Sequence, residues 1–161
     1  TSRVISNLAV VSPDVGGIKM ARAFAKRLEA DLILIDKRRP TPNLAEIMNV
    51  IGNVADRNIL IVDDLIDTGG TFCGAAEALR AKGALEIYGA CTHPILSGKA
   101  LERISASVVS KVYVTDSIPI NAPANLTSKI EVLTVSELFG EAIRRGFSNQ
   151  SISSLFDVDK S

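Results

Sequence analysis

The sequence predicts an α/β fold with a central, mainly parallel sheet and helices on both faces, and three observations carry that expectation. Short apolar runs recur along the chain, at "LAVVS" from Leu8, "LILI" from Leu32, "ILIV" from Ile59, "EIYGAC" from Glu86, "KVYVT" from Lys111 and "IEVLT" from Ile130. Amphipathic stretches of helical spacing lie between them. The composition, 47% hydrophobic with only 4% aromatic, calls for an aliphatic core of the kind that buried parallel strands supply.

The apolar runs are continuous rather than alternating, rich in β-branched residues and bounded by Asp, Gly, Pro or Ser, as expected of strands covered on both faces. The helical stretches are "GIKMARAFAKRLEA" from Gly17, "TFCGAAEALRAKG" from Thr71, "LSGKALERIS" from Leu96 and "VSELFGEAIRRG" from Val135. In the second, Phe72, Ala75, Ala76, Leu79 and Ala84 fall near one face, Glu77, Arg80 and Lys82 fall elsewhere, and Gly83 ends the helix. Strands alternating with helices imply right-handed crossovers. Two segments break the rhythm. "DKRRPTPNLAEIMNVIGNVADRN" opens with three cations and two prolines, then offers "NLAEIMNVIG", which reads as a short helix; "DSIPINAPANLTSK" reads as a surface loop.

At 161 residues the chain fits one domain, residues 1–161, since a core of this size buries roughly 70% of the unfolded surface without staples. Lysine plus arginine equals aspartate plus glutamate at 18 each, so no overall field draws in nucleic acid or an anionic membrane, and any anion site must be local. Cys73 and Cys91 lack metal-ligand or disulfide-framework spacing and read as reduced, buried thiols of a cytoplasmic protein. No apolar stretch approaches the roughly 20 residues of a membrane span, and no signal pattern precedes the first run. The chain opens at Thr1 without a methionine and soon enters an apolar run, which reads as a fragment, a processed product or a trimmed form.

Ligands of open α/β sheets bind beyond the C-terminal strand ends, and three loops there carry chemistry. In "VDDLIDTGGT", backbone N–H groups from Thr68 to Thr71 are placed to converge on a phosphate at a helix start; Gly69 and Gly70 permit close approach, and the threonines add hydroxyls. Asp63, Asp64 and Asp67 repel phosphate, so they suit a neutral or cationic neighbour such as sugar hydroxyls or Mg2+. The plain alternative is a strand end followed by a solvated turn. No lysine follows the glycines, so this is not a Walker-type loop. In "SPDVGG", Asp14 precedes Gly16 and Gly17, offering a carboxylate to a metal and amides to an oxyanion, although a turn before a helix fits equally. In "DKRRPTPN", Lys37, Arg38 and Arg39 are either solvated surface or cations placed to close over a polyphosphate.

Taken together, "VVSPDVGG", "IDKRRPTPNLAEIMNVIG", "VDDLIDTGGT", "LSGKALERI" and "SISSLF" resemble, in that order, the motifs of the ribose-phosphate pyrophosphokinase family, also called phosphoribosyl pyrophosphate synthetases, within the phosphoribosyltransferase fold. The resemblance implies a ribose-phosphate diphosphokinase, which transfers the diphosphoryl group of ATP to ribose 5-phosphate with Mg2+ to give phosphoribosyl pyrophosphate and AMP for nucleotide biosynthesis. It implies that Asp67, Thr68, Gly69, Gly70 and Thr71 hold the 5-phosphate, that Asp63 and Asp64 hold the ribose hydroxyls, and that Asp14 serves the metal. It further implies that Lys37 and Arg39 stabilise the transferring group, with Arg38 a helper, and that Ser151 and Ser153 match a regulatory phosphate or ADP site. His93 has a counterpart in the family but reads here as structural. Gly69 stands where the family often has alanine, and Pro94 where a small residue is usual.

The resemblance is to the C-terminal half of a two-domain enzyme. It implies that the N-terminal half, absent here, supplies most ATP contacts, that the isolated chain is inactive or nearly so, and that the whole is a homo-oligomer, a hexamer built from dimers. Two other readings stay open: a base-transferring phosphoribosyltransferase, for which no segment to grip a base is visible, and a non-catalytic regulatory subunit of the same lineage.

Overall fold

The computed structural model describes residues 5–38 and 47–156. Among them, seven strands form one sheet: β1 (Leu8–Ser12), β2 (Asp31–Arg38), β3 (Ile47–Ile51), β4 (Asn58–Ile66), β5 (Ile87–Pro94), β6 (Lys111–Thr115) and β7 (Ile130–Leu133). Their spatial order is β3-β2-β1-β4-β5-β6-β7, with every neighbouring pair parallel except β2 and β3. The six apolar runs are six of these strands, so the α/β class and the mainly parallel sheet agree with expectation. The order turns back on itself at β1, which lies between β2 and β4, and a crevice opens there at the strands' C-terminal ends.

Helices cover both faces. Helix α1 (Ile18–Arg27) follows β1 and buries Ala21 and Ala25 against Val10 and Val62. The other face is the larger core: α2 (Gly70–Ala81) lays Phe72, Ala75, Ala76 and Leu79 over Ile33, Ile59, Ile61 and Ile87, and α3 (Ala100–Ala106) adds Ile104. Strand residues alternate between these two cores because the pleat sends successive side chains to opposite sides. A fourth helical turn, α4 (Ala124–Thr127), lies inside the segment expected to be loop. Helix α5 (Ser136–Phe147) buries none of its residues and leaves Leu138, Phe139 and Ile143 exposed.

The structure corrects the reading of the cationic segment. The tail of "NLAEIMNVIG" is strand β3, not helix, and it runs antiparallel to β2 with Lys37 opposite Met48 and Arg38 opposite Ile47. Lys37 and Arg38 therefore belong to β2 rather than to a loop. The physical reason is register. β1 stops at Ser12 opposite Leu34, so β2 beyond Leu34 has no β1 neighbour, and β3 supplies the ladder hydrogen bonds for its overhang from the other edge. Arg39 lies outside the described residues.

Gly89 of β5 sits directly under Phe72, whose ring occupies the space a side chain would take, with Val112 flanking it. Phe72 is 2% exposed and has nowhere to move. Gly89→Ala is therefore expected to destabilise the chain by about 1–3 kcal/mol through overpacking, read as a lowered denaturation midpoint with an unchanged m-value.

Candidate functional site

The crevice at the C-terminal strand ends is built mainly by β4. This strand pairs with β1 only as far as Ile61, opposite Val11, but stays paired with β5 through Asp63 opposite Cys91 and Ile66 opposite Pro94. The apolar run thus continues as strand through both acids, with Asp63 paired on the ladder and Asp64 held between it and the paired Leu65. Two residues into the β4–α2 connection, Gly69 turns the chain with φ +73°, a left-handed conformation that glycine adopts without penalty, and α2 begins at Gly70. The first-turn N–H groups of α2 accordingly face the crevice at the positive end of the helix dipole.

The β1–α1 loop supplies the facing wall. The buried Ser12 hydroxyl donates to the Asp14 carbonyl at 2.6 Å, and the Gly17 amide donates to Asp14 Oδ1 at 3.0 Å. A Cβ on Gly17 would stand 2.6 Å from Ser12 Oγ, so the fold of this loop requires glycine there. These bonds bring Asp14 close to the β4 acids.

One cavity of about 250 Å3 is lined by Asp14, Asp63, Asp64, Asp67, Thr68, Gly69, Gly70 and Thr71, together with Leu65, Ile66 and Phe72. A second recess of about 400 Å3 shares Asp14, Asp63 and Asp64 and reaches Gly16, Gly17, Lys19 and Met20. The three acids form the wall between a recess faced by loop amides and a recess containing a lysine. Lys19 carried no sequence signal of its own; only its place in the first turn of α1, beside the "SPDVGG" loop, puts it there.

The acids crowd one another. Burial, then the Asp14 carboxylate, then that of Asp64 push the Asp63 carboxyl up to about 6, although the Asp64 amide donates to Asp63 Oδ1 at 3.0 Å. The carboxylate oxygens that meet here are the donor chemistry of a hard cation. Among the described residues no group of three or more His, Cys, Asp or Glu side chains forms a self-sufficient metal cage.

The other expected residues fall elsewhere. Lys37 lies on the β2 overhang, three positions past the last β1 pair. Ser151 and Ser153 lie after α5, their hydroxyl oxygens 2.6 Å apart, with Arg145 donating to the Ser151 carbonyl at 3.2 Å. Neither serine lines the cavity. His93 is the penultimate residue of β5, one strand from the acids, and its Nδ1 is 3.0 Å from Ser117 Oγ. Ser117 Oγ donates to the Thr92 carbonyl at 2.9 Å, so the imidazole Nδ1–H is the donor in the pair. Both thiols are free; Cys91 is buried, which raises its pKa to about 11, while Cys73, expected to be buried, is only partly so.

Because the folded state holds the Asp63 proton more tightly than the unfolded chain does, the group contributes stability that is full below about pH 4 and is lost as pH rises through 6. At neutral pH its ionisation is a cost, reduced by solvent screening at this half-buried position to about 1 kcal/mol. Asp63→Asn should therefore raise the ligand-free melting temperature by about 2–4 °C at pH 7.5, with the gain vanishing near pH 4.5. Thermal melts across that range check it.

Comparison with known proteins agrees with this architecture. The chain is 54% identical over 154 residues to a ribose-phosphate pyrophosphokinase of Chlorobaculum tepidum, covering 96% of this chain and 47% of that protein. It is 53% identical to one of Bordetella pertussis, covering 96% and 50%. The solved phosphoribosylpyrophosphate synthetase of Mycobacterium smegmatis superposes with a TM-score of 0.78 at 34% identity, over 89% of this chain and 46% of that one. An adenine phosphoribosyltransferase of Giardia lamblia, at 18% identity and a TM-score of 0.57 over 68% of each chain, shares the fold alone. The chain spans about half the length of the curated relatives it matches. With residues 39–157 matching the model of the phosphoribosyl synthetase-associated domain, the chain belongs to that family.

Proposed function

We propose that this chain is the ribose-5-phosphate-binding and catalytic-loop half of a ribose-phosphate diphosphokinase, residues 1–161 forming one phosphoribosyltransferase-like domain. The observation that carries the reading is the single cavity in which carboxylates and helix-start amides stand side by side, in a chain 54% identical to a protein named for that activity. A phosphorylated sugar presents two chemistries to a site, a dianion and a set of hydroxyls. The amides and hydroxyls of Thr68 to Thr71 suit the first, with Asp67 in the same loop, and Asp63 and Asp64 suit the second.

In the reaction, the anomeric oxygen of ribose 5-phosphate bonds to the β-phosphorus of ATP. The bond from that phosphorus to the oxygen bridging to the α-phosphorus breaks, and AMP departs as the hydroxyl releases its proton. Alignment and charge stabilisation carry such a transfer, and no covalent enzyme intermediate is needed. Lys37 and Arg39 stabilise the negative charge that shifts toward the leaving AMP. Asp14, with the neighbouring β4 acids, fits Mg2+, which takes one or two carboxylates and completes its shell with water and substrate phosphates. When bound, the ion neutralises phosphate charge; the protein's own part is to hold the sugar hydroxyls and the 5-phosphate so that the anomeric oxygen is aimed at its target.

The same reading makes the working protein a homo-oligomer, a hexamer built from dimers, acting in the cytoplasm on ATP and ribose 5-phosphate, with neither nucleic acid nor membrane as partner. No helix among the described residues is long and apolar enough to cross a membrane. Ser151 and Ser153 form a regulatory site for phosphate or ADP in this proposal, a reading supported by their adjacent hydroxyls and the neighbouring Arg145 guanidinium.

Incubation of the chain with ATP, Mg2+ and ribose 5-phosphate, alone and mixed with the N-terminal half of the Chlorobaculum tepidum relative, tests the activity. AMP and phosphoribosyl pyrophosphate should form in the mixture, with little or none from the chain alone. No AMP from the mixture refutes the kinase reading, and consumption of a nucleobase with phosphoribosyl pyrophosphate would point to base transfer instead. Lys37→Ala should lower turnover by about 100-fold or more while changing ribose 5-phosphate affinity less than about threefold. A large affinity loss at unchanged turnover would remove its assigned role.

A further inference from the structure

The segment between β5 and α3 runs behind the phosphate loop and holds it by its carbonyl groups. The Leu96 amide donates to the Ile66 carbonyl at 3.0 Å, and the Ser97 amide donates to the Asp67 carbonyl at 3.0 Å. Arg103 Nη1 donates to the Thr68 carbonyl at 2.7 Å. The Ser97 hydroxyl also donates to Asp67 Oδ1. Ala100, on the same helix as Arg103, packs against Gly69, with 3.6 Å from its Cα to the place a glycine Cβ would occupy.

In a trans peptide unit the C=O and the following N–H point in opposite directions. Three successive carbonyls drawn backward therefore turn the N–H groups of Asp67, Thr68 and Gly69 forward, toward the cavity that residues 63–72 line. None of Leu96, Ser97 and Arg103 lines that cavity, so they act from the far side. The row of forward N–H groups is an anion nest, and hydrogen bonds to the carbonyls behind it polarise the same peptide units and strengthen their N–H groups as donors. The Ser97 bond also answers for the third acid of the loop: one oxygen of the Asp67 carboxylate is engaged by a hydroxyl donor.

We propose that Ser97 and Arg103 are positioning residues that set the loop's amides for a phosphate dianion, touching no part of it themselves. This rests on the reading that the loop holds the phosphate of ribose 5-phosphate. Arg103 matters most, because its bond is the only one of the carbonyl contacts that comes from a side chain and because it places a positive charge behind the nest.

Isothermal titration of the chain and its variants with ribose 5-phosphate, and separately with inorganic phosphate, tests the proposal alongside thermal melts. Arg103→Met keeps the aliphatic stem and removes the donor; it should weaken both ligands about tenfold at an unchanged fold, and Arg103→Lys should recover to within about threefold of the original affinity. Ser97→Ala should cost about three- to tenfold. Unchanged affinity in Arg103→Met, or a loss equally severe in Arg103→Lys, overturns the proposal; should Arg103→Met not fold, unchanged affinity in Ser97→Ala overturns it. If the unaltered chain binds phosphate but not ribose 5-phosphate, the sugar reading falls while the phosphate titrations still judge the clamp. If it binds neither, both fall.

Discussion

Hydrogen bonding between β4 and β5 sets where the β4 carboxylates of the crevice stand. The pairing continues past the point where β1 stops, so β4 keeps a regular backbone from Asn58 to Ile66 instead of loosening at its first acid. Asp63 and Asp64 inherit their positions from that ladder. The turn at Gly69 starts from a fixed end, and α2 is aimed by it. Asp14 meets the same acids because β1 is the other neighbour of β4, and its loop is tied down by Ser12 and Gly17. Displacing β4 by one residue would invert the facing of both acids.

The site is an electrostatic compromise maintained by this framework. Burial and the carboxylates of Asp14 and Asp64 disfavour the ionisation of Asp63, while a few residues away a helix start and a row of amides favour negative charge. In water such groups would rearrange or be screened. Here the backbone holds them within one cavity, so the unfavourable arrangement is retained in the folded chain. The cost falls on folding stability, and placing such strain at the functional site is a common trade.

Much of this was legible in the chain itself, and what was not has a common cause. The inner strands β1 and β4 announced themselves because their apolar stretches are covered on both faces, which demands unbroken apolar runs bounded by polar residues. The loop residues Asp67 to Thr71 were legible because a glycine pair flanked by threonines after a strand has few other uses. Strand β3 was misread: "IMNVI" places apolar residues at spacings a helix also uses, and what makes it a strand is the β2 overhang, a fact of register between distant segments. Strand propensity argues against continuing β4 through two aspartates, and only its pairing with β5 overrides that. Ser97 and Arg103 reach residues 30 and 35 positions away, and no local pattern encodes such a contact.

The socket formed by Gly89 carries a consequence for motion. Phe72 lies in the first turn of α2, immediately after the residues that line the cavity, and its ring is seated on the sheet in the space Gly89 leaves open. The loop cannot swing away from the crevice without drawing a core aromatic out of its seat. The Cys73 amide, bonded to the Gly69 carbonyl at 2.9 Å, opens only with that core, so this wall of the cavity is tied to the stability of the sheet rather than to that of a fraying loop.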